Sequence, residues 1–130
     1  MRLLLDTHVV AWSILSVGRL SGNARQAINA IESTVYVSIV SPWEMAIKAG
    51  QGKWPDALGL IGDFEAQIFA AGFESLAITV PHVRTAGLMS APHRDPFDRL
   101  LAAQALAEGL TLVTRIAGSR GSGLPCFGND

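Results

Sequence analysis

Cysteine occurs once in 130 residues, at Cys126. A single thiol excludes an internal disulfide and a Cys-based zinc site, and it fits a reducing compartment. Charge is also scarce: Asp, Glu, Lys and Arg make up 16% of the chain, and the formal net charge is −1. That balance argues neither for nor against nucleic acid as a partner. No apolar stretch reaches the roughly 18 uninterrupted residues of a membrane span. Arg2 followed by leucines has the outline of a secretory leader, but Asp6 and His8 interrupt it and no clean apolar core follows. The expectation is a soluble, cytoplasmic protein.

What is present points to one folded domain. Hydrophobic residues make up 49% of the chain, which excludes disorder, and the length suffices for a real core. The charges are uneven. Residues 1–80 hold five Lys/Arg against seven Asp/Glu, and residues 81–130 hold five Arg against four Asp/Glu. The second part is therefore slightly the more basic.

Periodicity predicts alternating strands and helices. Leu3 to Leu5 reads as a short buried strand, followed by a helix from Val9 to Leu15 and a helix capped by Ser21. Val35 to Val40 reads as a strand, and Ser41-Pro42-Trp43-Glu44 as a helix start with Ser41 at the N-cap and Glu44 completing a capping box. Lys53 to Gly59 reads as a loop, and Leu60 to Ala71 as one amphipathic helix stopped by Gly72. A strand over Phe73 to Ile78, a helix from Thr79 to about Met89, a helix opened by Asp95-Pro96 and stopped by Gly109, and a strand over Leu110 to Val113 complete the series. This predicts an α/β fold with a central, mostly parallel sheet in three layers. Four of the thirteen glycines fall in the last sixteen residues, so 116–130 reads as a divergent, Gly-rich tail after a domain over 1–115.

Four carboxylates stand out: Asp6, Glu44, Asp95 and Asp98 each follow an apolar run or open a helix. Each has a structural reading, because acids at helix N-termini stabilise by roughly 0.3–1 kcal/mol and Asp is a good N-cap. In an open α/β sheet, however, all four would converge on the carboxyl edge, where ligands bind. Gathered there they would repel one another, and a divalent cation would remove that cost. Oxygen-only ligands favour Mg²⁺ or Mn²⁺ over Zn²⁺, and such an ion can activate water against a phosphodiester.

The words Leu-Leu-Leu-Asp-Thr-His, Ser-Pro-Trp-Glu-Met-Ala-Ile-Lys and His-Arg-Asp-Pro-Phe-Asp-Arg-Leu-Leu-Ala-Ala-Gln-Ala, followed by Leu-Thr-Leu-Val-Thr, occur in this order across residues 1–115. The series resembles PIN-domain proteins, and within them the VapC-type toxins of toxin–antitoxin pairs. The resemblance implies a three-layer α/β/α domain and a Mg²⁺- or Mn²⁺-dependent ribonuclease. It also implies a homodimer and neutralisation by a VapB-type antitoxin, which could push an Arg into the acidic pocket. Carried over, Asp6, Glu44 and Asp98 match the family's metal-holding acids and Asp95 an auxiliary one. Thr7 and Ser41 would orient carboxylates, and Thr114 matches the family Thr after the last strand.

The pattern departs at Ile116, where the family usually carries another Asp; the next acid is Asp130. Isoleucine cannot bind a cation, so a second metal would be harder to hold and activity lower. Two origins are open: ordinary divergence, or a one-base frameshift near Arg115. An Arg-Ile pair encoded CGG-ATC becomes Arg-Asp when a base is inserted before the second G. Two further functions also stay open. One is an inactive PIN module that binds RNA or antitoxin. The other is a phosphoacceptor domain, which would need an acid pair near the start and a Lys after the last strand. Arg94, Arg99 and Arg115 are candidate phosphate contacts, with surface exposure or ion pairing as the alternative. His93 is a candidate substrate contact, and His8 reads as pointing toward its neighbours. His82 reads as a surface residue. Trp12 and Trp43 read as packed into the core or against a partner, and Trp54 as part of a contact surface with a dimer mate or antitoxin. Sequencing the gene tests the frameshift: codons other than CGG-ATC at Arg115-Ile116 would remove it.

Overall fold

The computed structural model describes residues 1–90 and 95–115 in full, and the backbone of a last strand at 126–128. His93, Arg94, Ile116 and the Gly118–Gly123 run lie outside the described residues.

The chain alternates strand and helix as its periodicity predicts. The strands are β1 (Arg2–Leu5), β2 (Thr34–Ser38), β3 (Glu74–Leu76), β4 (Thr111–Thr114) and β5 (Cys126–Gly128). The helices are α1 (Thr7–Leu15), α2 (Gly22–Asn29), α3 (Val40–Gly50), α4 (Ala57–Gly62), α5 (Phe64–Ala70), α6 (Val80–Leu88) and α7 (Pro96–Glu108). Among the described residues no helix is long and apolar enough to cross a membrane.

The five strands form one sheet in the order β3-β2-β1-β4-β5, and every pairing is parallel. Leu3, Leu4 and Leu5 of β1 are fully buried because the strand is paired on both edges and covered on both faces. Alternation sorts them. Leu3 and Leu5 join Val35, Val37 and Val113 in a core with α1 to α5, while Leu4 joins Leu112 and the apolar side of α7 on the other face. Two cores on opposite faces of one sheet make the three-layer α/β/α architecture. Each buried leucine contributes about 1.5–3 kcal/mol relative to exposure.

Strands β1 to β3 step outward on one side, and the chain then returns to place β4 on the other side of β1. The order therefore reverses between β1 and β4, which opens a crevice at their carboxyl ends.

Several local expectations are corrected. Helix α3 starts before Ser41: Ile39 is its N-cap, and the Ser38 hydroxyl accepts the Val40 N–H at 3.1 Å. Ser41 is buried inside the helix, and Glu44 closes no capping box. Burial of Val40 against α6 and α7 decides the start over local capping chemistry. The single helix expected over Leu60 to Ala71 is two, broken at Asp63, which adopts non-helical φ −135 and ψ 36. Gly62 and Asp63 are both poor helix-interior residues, and α4 begins at Ala57 because that residue is fully buried. β5 lies in the segment read as a tail and pairs with β4, Val113 opposite Phe127.

His82 is 1% exposed, not on the surface. Its Nδ1 accepts the Thr79 N–H at 3.1 Å while the Thr79 hydroxyl accepts the His82 N–H, a capping box at the start of α6. Its Nε2 faces Glu108 of α7 at 2.8 Å, so one imidazole both caps α6 and ties it to α7.

Gly109 ends α7 in the left-handed region, at φ +67, whereas Gly87 sits within α6 with open space where a Cβ would go. Gly109→Ala should therefore cost about 1–2 kcal/mol, and Gly87→Ala should stabilise by about 0.5–1 kcal/mol. Urea midpoints of the two variants check the opposite signs.

Candidate active site

Three segments leave the sheet at its carboxyl edge and carry the candidate residues with them. Asp6 follows β1 directly and caps α1: its backbone is extended, and Oδ1 accepts the Val9 N–H at 2.9 Å. Oδ2 accepts the Arg115 N–H at 3.0 Å, and the Asp6 N–H donates to the Val113 carbonyl at 2.9 Å. One residue thus joins the end of β1, the first turn of α1 and the end of β4, at the crevice where the strand order reverses. Burial pushes the Asp6 carboxyl from 3.8 up to about 6, with the two backbone N–H donors and the charge of Arg115 opposing and the charge of Asp98 adding to the rise.

Asp98 stands exposed in the first turn of α7, close enough for its charge to act on Asp6. Asp95 is the N-cap of the same helix, exposed, and accepts the Phe97 N–H at 2.8 Å. Glu44 is buried one turn into α3, and its Oε2 pairs with Lys48 Nζ at 2.9 Å. Asp6 and Asp98 therefore share one electrostatic neighbourhood, Glu44 sits in an ion pair, and Asp95 is a surface cap. Among the described residues no group of three or more His, Cys, Asp or Glu side chains is placed to hold a metal together.

Thr7 and Ser41 bond to each other, hydroxyl to hydroxyl at 3.2 Å, and not to the carboxylates. Both are buried, so each needs a polar partner, and the pair pins α1 to α3. Thr114 ends β4 and is buried. The Arg99 guanidinium donates to the carbonyls of Ala86, Gly87 and Met89 at the end of α6.

A second constellation escaped sequence reasoning. The His8 ring stacks on Trp54 with centroids 4.7 Å apart and planes 16° from parallel, and meets Trp12 edge-on at 5.9 Å. Its Nε2 lies 3.3 Å from Arg115 Nη1. Guanidinium only donates, so the imidazole nitrogen accepts and the ring is neutral. Burial foremost lowers the His8 pKa to about 4, with the charges of Arg115 and Lys48 adding and that of Glu44 opposing. Lys48 also lies over the Trp54 ring at 5.9 Å. Trp12 and Trp54 pack partly buried against the core, whereas Trp43 is 60% exposed and meets Phe97 edge-on. His8 and Arg115 both fall next to motif residues, but a contact across 107 positions leaves no mark in one sequence.

The raised pKa of Asp6 has a sign that can be measured. Its folded value of about 6 exceeds the unfolded 3.8, so its contribution to stability is present below the unfolded pKa and is lost as pH rises through the folded one. The loss amounts to about 3 kcal/mol in metal-free protein. Asp6→Asn removes that proton uptake, so wild type should lose stability relative to the variant between about pH 4 and pH 7 in EDTA. Urea melts at the two pH values read the difference, and parallel profiles would contradict it.

Comparison with known proteins places this geometry. The family model described as PIN domain matches residues 3–115. No curated protein matches the chain. Among solved structures, VapBC2 from Rickettsia felis bound to a DNA fragment from its promoter matches with a TM-score of 0.72 at 20% identity, covering 100% of both chains. DNA-bound VapBC from Salmonella typhimurium matches at 0.68 and 18% identity, over 97% of this chain and 96% of that one. FitAcB from Neisseria gonorrhoeae matches at 0.60 and 22% identity, over 96% of each chain. The structures share the fold, and the family model covers most of the chain including the β1–Asp6, α3 and α7–β4 segments: this protein belongs to the PIN domain family.

Proposed function

We propose that the chain is a VapC-type toxin, a metal-dependent endoribonuclease that cleaves RNA phosphodiesters in the cytoplasm and is neutralised by a VapB-type antitoxin. The observation that carries this reading is the half-buried Asp6 at the crevice between β1 and β4, where the charge of Asp98 acts on its carboxyl. The likeness to toxin–antitoxin complexes supports the toxin and antitoxin parts.

The residues fit one hard cation. Asp6 and Asp98 offer carboxylate oxygens and no soft donor, and Mg²⁺ is commonly bound by one or two carboxylates while keeping several waters. In this reading Asp6, Glu44 and Asp98 hold Mg²⁺ or Mn²⁺, with Asp95 beside them, and Glu44 would use the oxygen not bonded to Lys48. The ion would supply polarisation of a phosphoryl oxygen and a lowered pKa for water. The protein's own part is orientation. Two backbone N–H groups fix the Asp6 carboxylate on rigid elements, and Lys48 balances Glu44, so the acids' mutual repulsion is partly offset. A proton on Asp6 would compete with the cation, so affinity should fall about tenfold from pH 7 to pH 5.

A homodimer is part of the proposal. Trp43, Val80 and Val83 are exposed, and Val40, Trp43, Val83, Ala86, Pro96, Phe97 and Leu100 line a shallow apolar cavity of about 170 Å³. Such a face is costly to leave in water.

The second reading is an inactive PIN module that only binds RNA or antitoxin. It is favoured by Ile116 at the family's last acid position and by the lack of a three-ligand group among the described residues.

Incubation of single-stranded RNA with the purified chain in Mn²⁺, against an EDTA control, separates the two. The enzyme reading expects cleavage in Mn²⁺ alone, reduced by at least ~10–100-fold in Asp6→Asn and Asp98→Asn, as when groups that orient metal ligands are lost. Ile116→Asp should raise it. Mn²⁺ that neither binds nor activates, in wild type and Ile116→Asp alike, would favour the binding module. Trp43→Arg should shift the protein from dimer to monomer in analytical ultracentrifugation.

A further inference from the structure

We propose that Arg115 is a phosphate-binding residue of this site, its guanidinium held beside Asp6 by His8, and that it contacts the RNA phosphate adjoining the one at the carboxylates. The inference rests on the reading of RNA as substrate and assigns to it a positioning device outside the acids.

Arg115 is fixed at both ends. Its backbone N–H donates to Asp6 Oδ2 at 3.0 Å, and its Nη1 donates to His8 Nε2 at 3.3 Å. The two anchors come from Asp6 and the first turn of α1, so the guanidinium is tied to the element that carries the central carboxylate. His8 is itself held, face-on by Trp54 and edge-on by Trp12. An arginine so restrained forfeits less side-chain entropy on binding a ligand than a mobile one.

The anchors leave the charge intact. The side-chain partner is a neutral imidazole, and among the described residues no carboxylate lies within ion-pair distance of the Arg115 guanidinium. The bond to Asp6 is made by the backbone, which any residue except proline could supply, so it does not account for an arginine here. Among the described residues the other cations near the acids are engaged: Lys48 with Glu44, and Arg99 with three carbonyls at the end of α6. Arg115 is also exposed. A planar cation with most of its five donors available, fixed and facing water beside a site for a phosphodiester, suits bidentate contact with phosphate.

His8 is accordingly a positioning residue, acting through Arg115. His8→Phe keeps a ring to stack on Trp54 and removes the nitrogen that accepts from Arg115.

The test is fluorescence anisotropy of a fluorescein-labelled single-stranded oligouridylate, titrated in EDTA at several KCl concentrations. Arg115→Ala should weaken binding and lower the slope of log K against log salt by about 0.7, the value of one phosphate contact on a single strand. Arg115→Lys should keep the slope. His8→Phe should weaken binding in the wild-type background and have no further effect in Arg115→Ala, because the two act as one unit. An unchanged slope in Arg115→Ala, an equal effect of His8→Phe in both backgrounds, or no binding by wild type would each overturn the proposal. Cleavage in Mn²⁺ is scored separately: RNA bound through Arg115 but never cut would leave this inference standing and remove the nuclease reading.

Discussion

The carboxylate of Asp6 holds together the part of the molecule where function is proposed. One oxygen caps α1, the other takes the first N–H after β4, and the residue's own N–H bonds back into β4. Those bonds fix the carboxyl ends of β1 and β4 relative to each other and to α1. They also hold an acid in a half-buried position where its charged form is disfavoured. The strain is electrostatic, and it is located at the crevice where the sheet reverses its order.

Around that acid the charges are arranged with economy. In a chain with 16% charged residues, Glu44 and Lys48 pair across one helical turn, the charges of Asp98 and Arg115 act on Asp6 with opposite sign, and the Arg115 guanidinium donates to a neutral ring. The aromatic contacts extend the same pattern. Lys48 lies over Trp54, Trp54 stacks on His8, and His8 accepts from Arg115. A continuous run of contacts therefore joins the cation beside Glu44 to the cation beside Asp6, through α3, the turn after it and the first turn of α1.

Much of the fold was legible because it rests on local periodicity. The leucines of β1, the β-branched run of β2, the Ser21 and Thr79 caps, the Asp95-Pro96 start and the Gly109 stop all lie where their chemistry predicts. The misses share a cause. Ser41 has good capping chemistry but is buried inside α3, where packing of Val40 outweighs it. Leu60 to Ala71 keeps one amphipathic pattern through a break at Asp63, because α4 and α5 bury their apolar residues in the same core. His82 carries no sequence mark of burial, since its partner Glu108 lies on another helix. Of the candidate site, the acids were visible as residue types at helix starts, while the bond between Thr7 and Ser41 and the role of Arg99 as a cap for α6 were not.

The sequence by itself determined the alternation of strands and helices, the helix stops and the identity of the acids, because these follow from side-chain period and backbone preference within a few residues. Only the tertiary structure decided which acid is buried, which is paired and which merely caps a helix. Asp6, Glu44, Asp95 and Asp98 are equivalent as letters at helix starts. Desolvation of Asp6 and the closure of β4 onto it arise from residues brought together across the chain, whereas Lys48 reaches Glu44 across one turn of the same helix.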